Sequence, residues 1–350
     1  MKTLERFAAG LEALPTAVAW YLEEVAESRG RQELFLRQSP QVLQALREHA
    51  LIESAVSSNR IEGVEVEQAR VATLVFGRPA PRDRNEEEVR GYRDALNLIH
   101  TRAESLPIEE DTLRELHRLS RGEAADGGHY KSRDVDIVQT FPNGSNRLRF
   151  RTVPAADTPA AIDALFRHWR GCLEERRIPY LVLLAALDLD FLCIHPFRDG
   201  NGRASRLLLL LGCYHAGLQA GRYVSLERII EENKEGYYEA LERSSAGWHE
   251  GRHDPWPYVR FVLYAIKTAC RELEARVGQM AAPRGAKTQL VEQSLGRLTG
   301  SFTLAELERA CPGVSRDMIR KVLKTLRRRG RLACTGRGPA ARWHREGTWP

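Results

Sequence analysis

The chain has 350 residues, 43% hydrophobic and 29% charged, which is long enough for two or three domains with cores of their own and charged enough for a soluble globular protein. Its most hydrophobic run, LLLLLGCY after Arg206, falls far short of the ~20 residues of a bilayer span, and the N-terminal MKTLERFAAGLEALP lacks the apolar centre of an export signal. Six scattered cysteines (Cys172, Cys193, Cys213, Cys270, Cys311, Cys334) form no CxxC pair, so reduced thiols, a cytoplasmic location and no membrane partner are expected.

The formal net charge of +6 is unevenly placed, because residues 284–350 carry +10 from fifteen Lys and Arg against five Asp and Glu, and the preceding 283 residues carry −4. That shift points to a separate basic module with an anionic partner, although KTLRRRGR alone also suits a solvated helix face.

Apolar residues recur at three and four spacing in LERFAAGLEAL (4–14), SPQVLQALREHALIESAVSS (39–58), EEEVRGYRDALNLIHTRAESL (86–106) and EDTLRELHRLSR (110–121). The same period continues in TPAAIDALFRHWRGCLEE (158–175), YLVLLAALDLDFLCI (180–194), ASRLLLLLGCYHAG (204–217), EENKEGYYEALERSS (231–245) and WPYVRFVLYAIKTACRELEARV (256–277). These stretches predict a mainly α body. Between them, DVDIVQTFPNGSNRLRFRTV alternates polar and apolar on both sides of Asn143-Gly144, with Val135 and Ile137 on matching parity with Leu148 and Phe150. Asn-Gly suits a tight hairpin turn, so a lone β-hairpin over 135–153 is expected, packed on the helices or serving a partner.

After Val277, GQMAAPRGAK has the composition of a linker, placed at 278–288. Beyond it come three helical stretches (287–300, 303–311 and 314–330), the second and third separated by the turn PGVS, and then a strand, glycine turn and strand in RLACTGRGPAARWH. That order resembles a winged helix-turn-helix domain, a small α+β unit over 289–350. Ser315 would cap its recognition helix, and Arg316, Arg320, Lys321 and Lys324 would face DNA. Such modules also serve as protein-binding or dimerising units.

The chemistry concentrates in IHPFRDGNGR, Ile194 to Arg203, which stands between two apolar helices. A glycine-bearing loop entering a helix N-terminus points free N–H groups and the helix dipole at an anion. Gly200 and Gly202 keep side chains out of the way, Asp199 offers an oxygen to Mg²⁺, and Arg203 and Arg206 lie within one turn to reach the same polyphosphate. His195 is placed to take a proton from an incoming hydroxyl, and Phe197 to pin the loop to the core. Taken singly, each residue also suits a helix end or a polar turn.

His195-Pro-Phe-Arg-Asp-Gly-Asn-Gly-Arg203 with Arg206 resembles, position for position, the HPFx(D/E)GNGRxxR signature of Fic domains. GHYKSRDVDI and EENKEGYYEAL extend the likeness across residues 97–277, leaving 1–96 as an N-terminal helical region. The resemblance implies an all-helical fold with a hairpin flap, and transfer of AMP from ATP to a protein hydroxyl. It implies His195 as general base, Asp199 as Mg²⁺ ligand, and Gly200, Asn201 and Gly202 as the anion hole. Arg203 would bind the β-phosphate region, Arg206 the γ-phosphate, and Asn233 would line the nucleotide pocket. A target protein would lie along hairpin 135–153 as an added strand, and a homodimer is compatible with the pattern.

SSNRIEG (58–63 from its second serine) resembles the family's (S/T)xxxE(G/N) inhibitory motif, with Ser58, Glu62 and Gly63 in place. The resemblance implies that Glu62 pairs with Arg206 and obstructs γ-phosphate binding; the same residues also read as a helix ending at a glycine cap. Asp188 stands where many relatives carry a histidine, TVPAADTP stands where many carry a proline run, and Gly202 stands where the phosphotransferase branch has lysine. Removal of AMP by the same site, phosphocholine transfer, and a DNA-binding regulator using the site as nucleotide sensor remain open at this point. His249, Glu250, His253 and Asp254 have metal-like spacing, but Gly251 and Pro255 mark a helix end.

Overall fold

A computed structural model describes residues 2–346 except 11–12, 37–39, 78–79, 123, 141–143, 280–285, 299, 312–313, 337 and 339–340. The N-terminal half is helical: α1 (Lys2–Ala9), α2 (Thr16–Leu36), α3 (Pro40–Ile61), α4 (Gln68–Phe76), α5 (Arg84–Arg102) and α6 (Glu110–Ser120). A hairpin of β1 (Ile137–Thr140) and β2 (Asn146–Phe150) follows, then α7 (Thr158–Glu175), α8 (Tyr180–Ile194) and α9 (Asn201–His215). After α10 (Leu226–Glu232), α11 (Lys234–Ser245) and α12 (Trp256–Gln279) close this body. The chain is therefore mainly α, as expected.

The spine is α8, whose side chains from Leu181 to Ile194 are all buried because it is apolar on every face. It carries two buried acids. Asp190 accepts hydrogen bonds from the Thr3 and Leu4 amides, each at 3.0 Å, and so caps the N-terminus of α1. Asp188 accepts from the Tyr258 hydroxyl on α12. One continuous core runs from Leu4 to Val277, and the boundary expected at 96/97 falls inside α5. A second core extends from Val291 to Leu332. Among the described residues, no helix is long and apolar enough to cross a membrane.

Several elements depart from the sequence expectation. Gly10, at φ 134°, ends the first helix early. Helices α2 and α4 have no counterpart among the expected stretches, and the helix expected over 231–245 is broken at Asn233, its first two residues ending α10. In the hairpin, Ile137 faces Phe150 but Val138 faces Leu148, so β2 holds one extra residue, Arg149, in a bulge. The bulge undoes the expected parity: Leu148 joins Val138 in solvent, and Phe150 stacks on His249. Arg149 reaches Glu242 of α11 at 2.8 Å, which seats the ribbon on the helical body. Gly144 adopts φ 79°, and Asn143, the other residue of the expected turn, lies outside the described residues.

The second unit begins with α13 (Ala286–Arg297), so the expected linker 278–288 overlaps the ends of α12 and α13, and 280–285 lies outside the described residues. It continues through β3 (Phe302–Thr303), α14 (Leu304–Ala310), α15 (Arg316–Arg328), β4 (Leu332–Thr335) and β5 (Arg342–Arg345). The strands form an antiparallel sheet of order β3-β5-β4, so a third strand joins the two expected. Thr303 and Glu306 make a capping box at the start of α14, and the Ser315 hydroxyl accepts from the Met318 amide to cap α15.

Candidate active site

The loop between α8 and α9 is held by its own side chains. Helix α8 ends at His195 in the left-handed region, φ 52° and ψ 59°, a conformation that non-glycine residues keep only where their surroundings impose it. Asn201 closes the loop from the other end: its Oδ1 accepts from the Phe197 amide at 3.0 Å and its Nδ2 donates to the Phe197 carbonyl at 2.8 Å. The side chain expected in an anion hole is thus committed to the backbone, and only the Asn201 N–H is left for an anion. Gly200 supplies φ 82° as the residue before α9, and the first bond within the helix runs from the Ala204 N–H to the Gly200 carbonyl. The amides of Asn201, Gly202 and Arg203 precede that bond, which gives a helix N-terminus open to negative charge.

Phe197 is fully buried, as expected, and His117 of α6 stacks on it with ring centroids 3.6 Å apart. With His117 Nδ1 accepting from the Gly128 amide, its Nε2 donates to the Asp199 carbonyl at 2.8 Å. Burial pushes His117 down to about 4, so it stays neutral while it supports the loop.

The two expected phosphate ligands are already engaged. Arg203 is buried and donates to Glu88 of α5 at 2.9 Å and to Asn59 Oδ1 at 3.1 Å. Arg206 is buried as well: its Nε donates to the Ser58 hydroxyl at 2.8 Å, and its Nη2 donates to the Ser58 carbonyl at 2.9 Å and to Glu62 Oε1 at 2.8 Å. Helix α3 ends just before this contact. Gly63 takes φ 82° and the Val64 amide returns to the Asn59 carbonyl, so Glu62 hangs over the start of α9. A Cβ on Gly202 would sit 2.3 Å from Glu62 Oε1, so the absence of a side chain there is what admits the carboxylate.

Asp199 is half-exposed, at 52%. Its Oδ2 accepts from Arg121 at 2.7 Å and from Arg84 at 3.3 Å, and its Oδ1 accepts from the Gly200 amide at 2.6 Å. Against the opposing effect of burial, Arg121 and Arg203 hold this carboxyl below its ordinary range. A hard, ionised carboxylate beside a free helix N-terminus fits Mg²⁺, which takes one or two carboxylates together with phosphate oxygens and water. Among the described residues no cluster of three His, Cys, Asp or Glu stands ready for a metal, so phosphate would have to complete the shell.

His195 opens onto a groove of about 470 Å³ whose walls include Glu62, Gly202, Phe150, Tyr237, Tyr238 and Leu241. Burial and the Lys131 ammonium push His195 down to about 4, against the opposing Leu192 carbonyl, Glu62 and Asp199. Its imidazole is therefore neutral near pH 7. Asn233 is not brought to this groove; its Nδ2 donates to the Ile229 carbonyl at the junction of α10 and α11, and Tyr237 and Tyr238 occupy the wall instead. The metal-like histidines lie apart, His249 on the Arg151 carbonyl and His253 on the Thr3 hydroxyl.

The Fic/DOC family profile matches residues 107–212, which hold the loop, α8 and most of α9. The chain contains a Fic domain. Proteins named protein adenylyltransferase Fic from Nematostella vectensis and Drosophila mojavensis are 25% and 24% identical to it over 250 and 233 residues. These matches take in 69% and 65% of this chain and 52% and 42% of the relatives, so the chain spans about half the length of the curated relatives it matches. A Fic family protein of Desulfovibrio desulfuricans G20 shares the fold over 96% of this chain and 98% of its own, with a TM-score of 0.60 at 23% identity. Fic-1 (aa134–508) from C. elegans shares it over 75% of this chain and 74% of its own, with a TM-score of 0.56 at 20% identity.

The sequence motif of the Fic domain left out four supporting residues: Arg84, Glu88, His117 and Arg121. Glu88 is the hub, accepting from Arg84, Arg121 and Arg203 at 3.1, 2.8 and 2.9 Å. Arg84 and Glu88 lie one turn apart at the start of α5, upstream of the profile match, and no local signal in the sequence marks them.

Proposed function

We propose that the protein is an autoinhibited protein adenylyltransferase, moving AMP from Mg-ATP to a Ser, Thr or Tyr hydroxyl of a target protein or of its own chain. The observation that carries this reading is the shared wall of one groove, in which His195 and the open end of α9 meet and Glu62 spans Gly202 to reach Arg206. The names of the relatives support the same reaction.

A neutral His195 accepts the hydroxyl proton as the hydroxyl oxygen bonds to the α-phosphorus; the bond from that phosphorus to the bridging oxygen breaks, and pyrophosphate leaves. The α9 amides with Arg203 and Arg206 meet the charge on the leaving phosphates. Mg²⁺ bound at Asp199 would supply further neutralisation of phosphate charge. The apolar wall of Tyr237, Tyr238 and Leu241 suits a flat base, and the exposed Val138 and Leu148 on the hairpin suit a target segment added as a strand. While Arg206 is paired with Glu62, the γ-phosphate lacks its ligand and the α-phosphate sits off line, a displacement that costs on the order of 10²-fold in rate. Incubation with ATP labelled at the α-phosphate tests the reading: Glu62→Gly labels protein strongly, wild type weakly and His195→Ala not at all, and a Gly variant that labels nothing overturns it.

For the C-terminal unit we propose a winged helix-turn-helix that docks on duplex DNA. In support, α15 buries Ile319, Val322, Leu323 and Leu326 and turns Arg316, Arg320, Lys321 and Lys324 to solvent on its other side. Arg316 pairs with Glu308 at 2.9 Å and Arg320 with Asp317 at 3.7 Å, while both lysines project outward. Binding by the full chain that weakens steeply with salt supports this reading, and indifference to DNA at low salt overturns it.

A further inference from the structure

His195 keeps a left-handed backbone, and one residue grips both sides of it. The backbone N–H of Lys131, in the segment between α6 and β1, donates to the Pro196 carbonyl at 2.8 Å. The same residue's ammonium donates to the Ile194 carbonyl at 3.2 Å and to the Thr152 hydroxyl at 2.7 Å. The carbonyls immediately before and after His195 are thus held by two nitrogens of a single side chain and its backbone. Lys131 is only 4% exposed, although a lysine is among the residues least often buried. Its partners are a carbonyl and a hydroxyl, so its charge is not cancelled by a carboxylate in direct contact.

We infer that Lys131 is a positioning residue for His195, its two nitrogens fixing the carbonyls on either side of the histidine so that the imidazole faces the groove. The inference rests on the reading of His195 as the proton acceptor. Thr152 extends the grip to the flap: its hydroxyl donates to the Val135 carbonyl at 2.7 Å and its amide to Asp136 Oδ1 at 3.2 Å. Both sides of the hairpin's base are therefore tied through Thr152 to the ammonium that also holds the loop. The placement has an electrostatic consequence. The charged groups that act on His195 are Lys131, Glu62 from the turn after α3, and Asp199 from its own loop, and only Lys131 favours the neutral imidazole. Asp134 and Asp136 favour the charged form of Lys131 against its burial, which pushes it down to about 8, so the ammonium is mostly charged near pH 7.

The test uses the full chain, in wild type and in the Glu62→Gly background, with Lys131→Met, Lys131→Gln and Lys131→Arg. NMR titration of the His195 ring, assigned with His195→Ala, reads the imidazole directly and needs no turnover. The midpoint is expected to rise in Lys131→Met and Lys131→Gln and to stay low in Lys131→Arg. In the Glu62→Gly background, kcat for AMP transfer by Lys131→Met is expected to fall about tenfold or more at neutral pH, with KM for ATP within about twofold and the acid limb of the profile moved upward. Lys131→Arg should recover most of that loss. Lys131→Gln keeps a donor toward Ile194 without the charge, so it decides the question if the Met variant fails to fold. Unchanged midpoints in the neutral variants, or a loss carried by KM with kcat intact, would overturn the inference. If the Glu62→Gly protein itself transfers no AMP, the reading of the site fails, and the NMR midpoints still decide the role of Lys131.

Discussion

Replacing Glu62 with glycine removes one charge-assisted hydrogen bond, the 2.8 Å contact to Arg206, together with a carboxylate that acts on His195. Arg206 keeps its bonds to the Ser58 hydroxyl and carbonyl, so its guanidinium stays in place with one face newly open. The Arg206 side chain is 1% exposed and that of Glu62 31%, which puts the pair between the surface and buried regimes. A hydrogen bond to a charged group contributes roughly 1.5–3 kcal/mol. If the whole of that biases Arg206 away from phosphate, its removal raises the competent population about 10- to 150-fold. The assay is transfer of α-labelled AMP to protein, followed as initial rate at saturating Mg-ATP. A rate within twofold of wild type would rule out this restraint by Glu62, and labelling that persists in a Glu62→Gly, His195→Ala double variant would rule out His195 as the proton acceptor.

Three further outcomes follow from the surrounding charges. Arg84 is largely exposed, and its bond to Asp199 competes with a metal, so Arg84→Ala should tighten calorimetric Mn²⁺ binding in the presence of ATP by up to about fivefold; unchanged or weaker binding contradicts this. Burial pushes Asp188 up to about 7, against the opposing Tyr258 and Ser205 hydrogen bonds and Arg206, while in the unfolded chain the group titrates near 4. Its raised folded value contributes stability that is complete below about pH 4 and is lost as pH rises through about 7, so the Tm of wild type relative to Asp188→Asn should fall across that window and level off above it; a flat difference refutes the assignment. In the C-terminal unit, exchanging Arg320, Lys321 and Lys324 for glutamate in the full chain should abolish DNA binding whose log–log salt slope in wild type is about −0.9 per phosphate neutralised; equal binding by the variant contradicts the docking face.

Much of the body was legible because its helices carry strong local signals. The expected stretches 158–175 and 180–194 coincide with α7 and α8, which Pro159 and Pro179 start and a left-handed residue ends. Helix α2 was hidden by Gly30 and a run of charged residues, and it is held by packing on α12 that no local pattern records. The bulge at Arg149 also has no signal in a two-residue alternation, and it reversed the face assigned to Leu148. The candidate site's loop was readable because its groups sit within twelve residues, from His195 to Arg206, on one loop and one helix turn. The approach of Glu62 to Arg206 was reachable through the spacing of Ser58, Glu62 and Gly63 beside that loop. Glu88, Arg121 and Lys131 were not, because the contacts that tie each of them to the loop and α9, to Arg203, Asp199 and Ile194, join residues 63 to 115 positions apart, which the fold alone creates.

On the proposed function, His195 drives transfer of AMP and Glu62 restrains it. Mass spectrometry of a cell lysate incubated with the Glu62→Gly protein and Mg-ATP tests this most directly, because it reads both the group transferred and the residue that receives it. Ser, Thr or Tyr peptides bearing AMP are expected with the Glu62→Gly protein, few with wild type and none with the Glu62→Gly, His195→Ala double variant. A different transferred group, or AMP-bearing peptides equally abundant with the double variant, would contradict it.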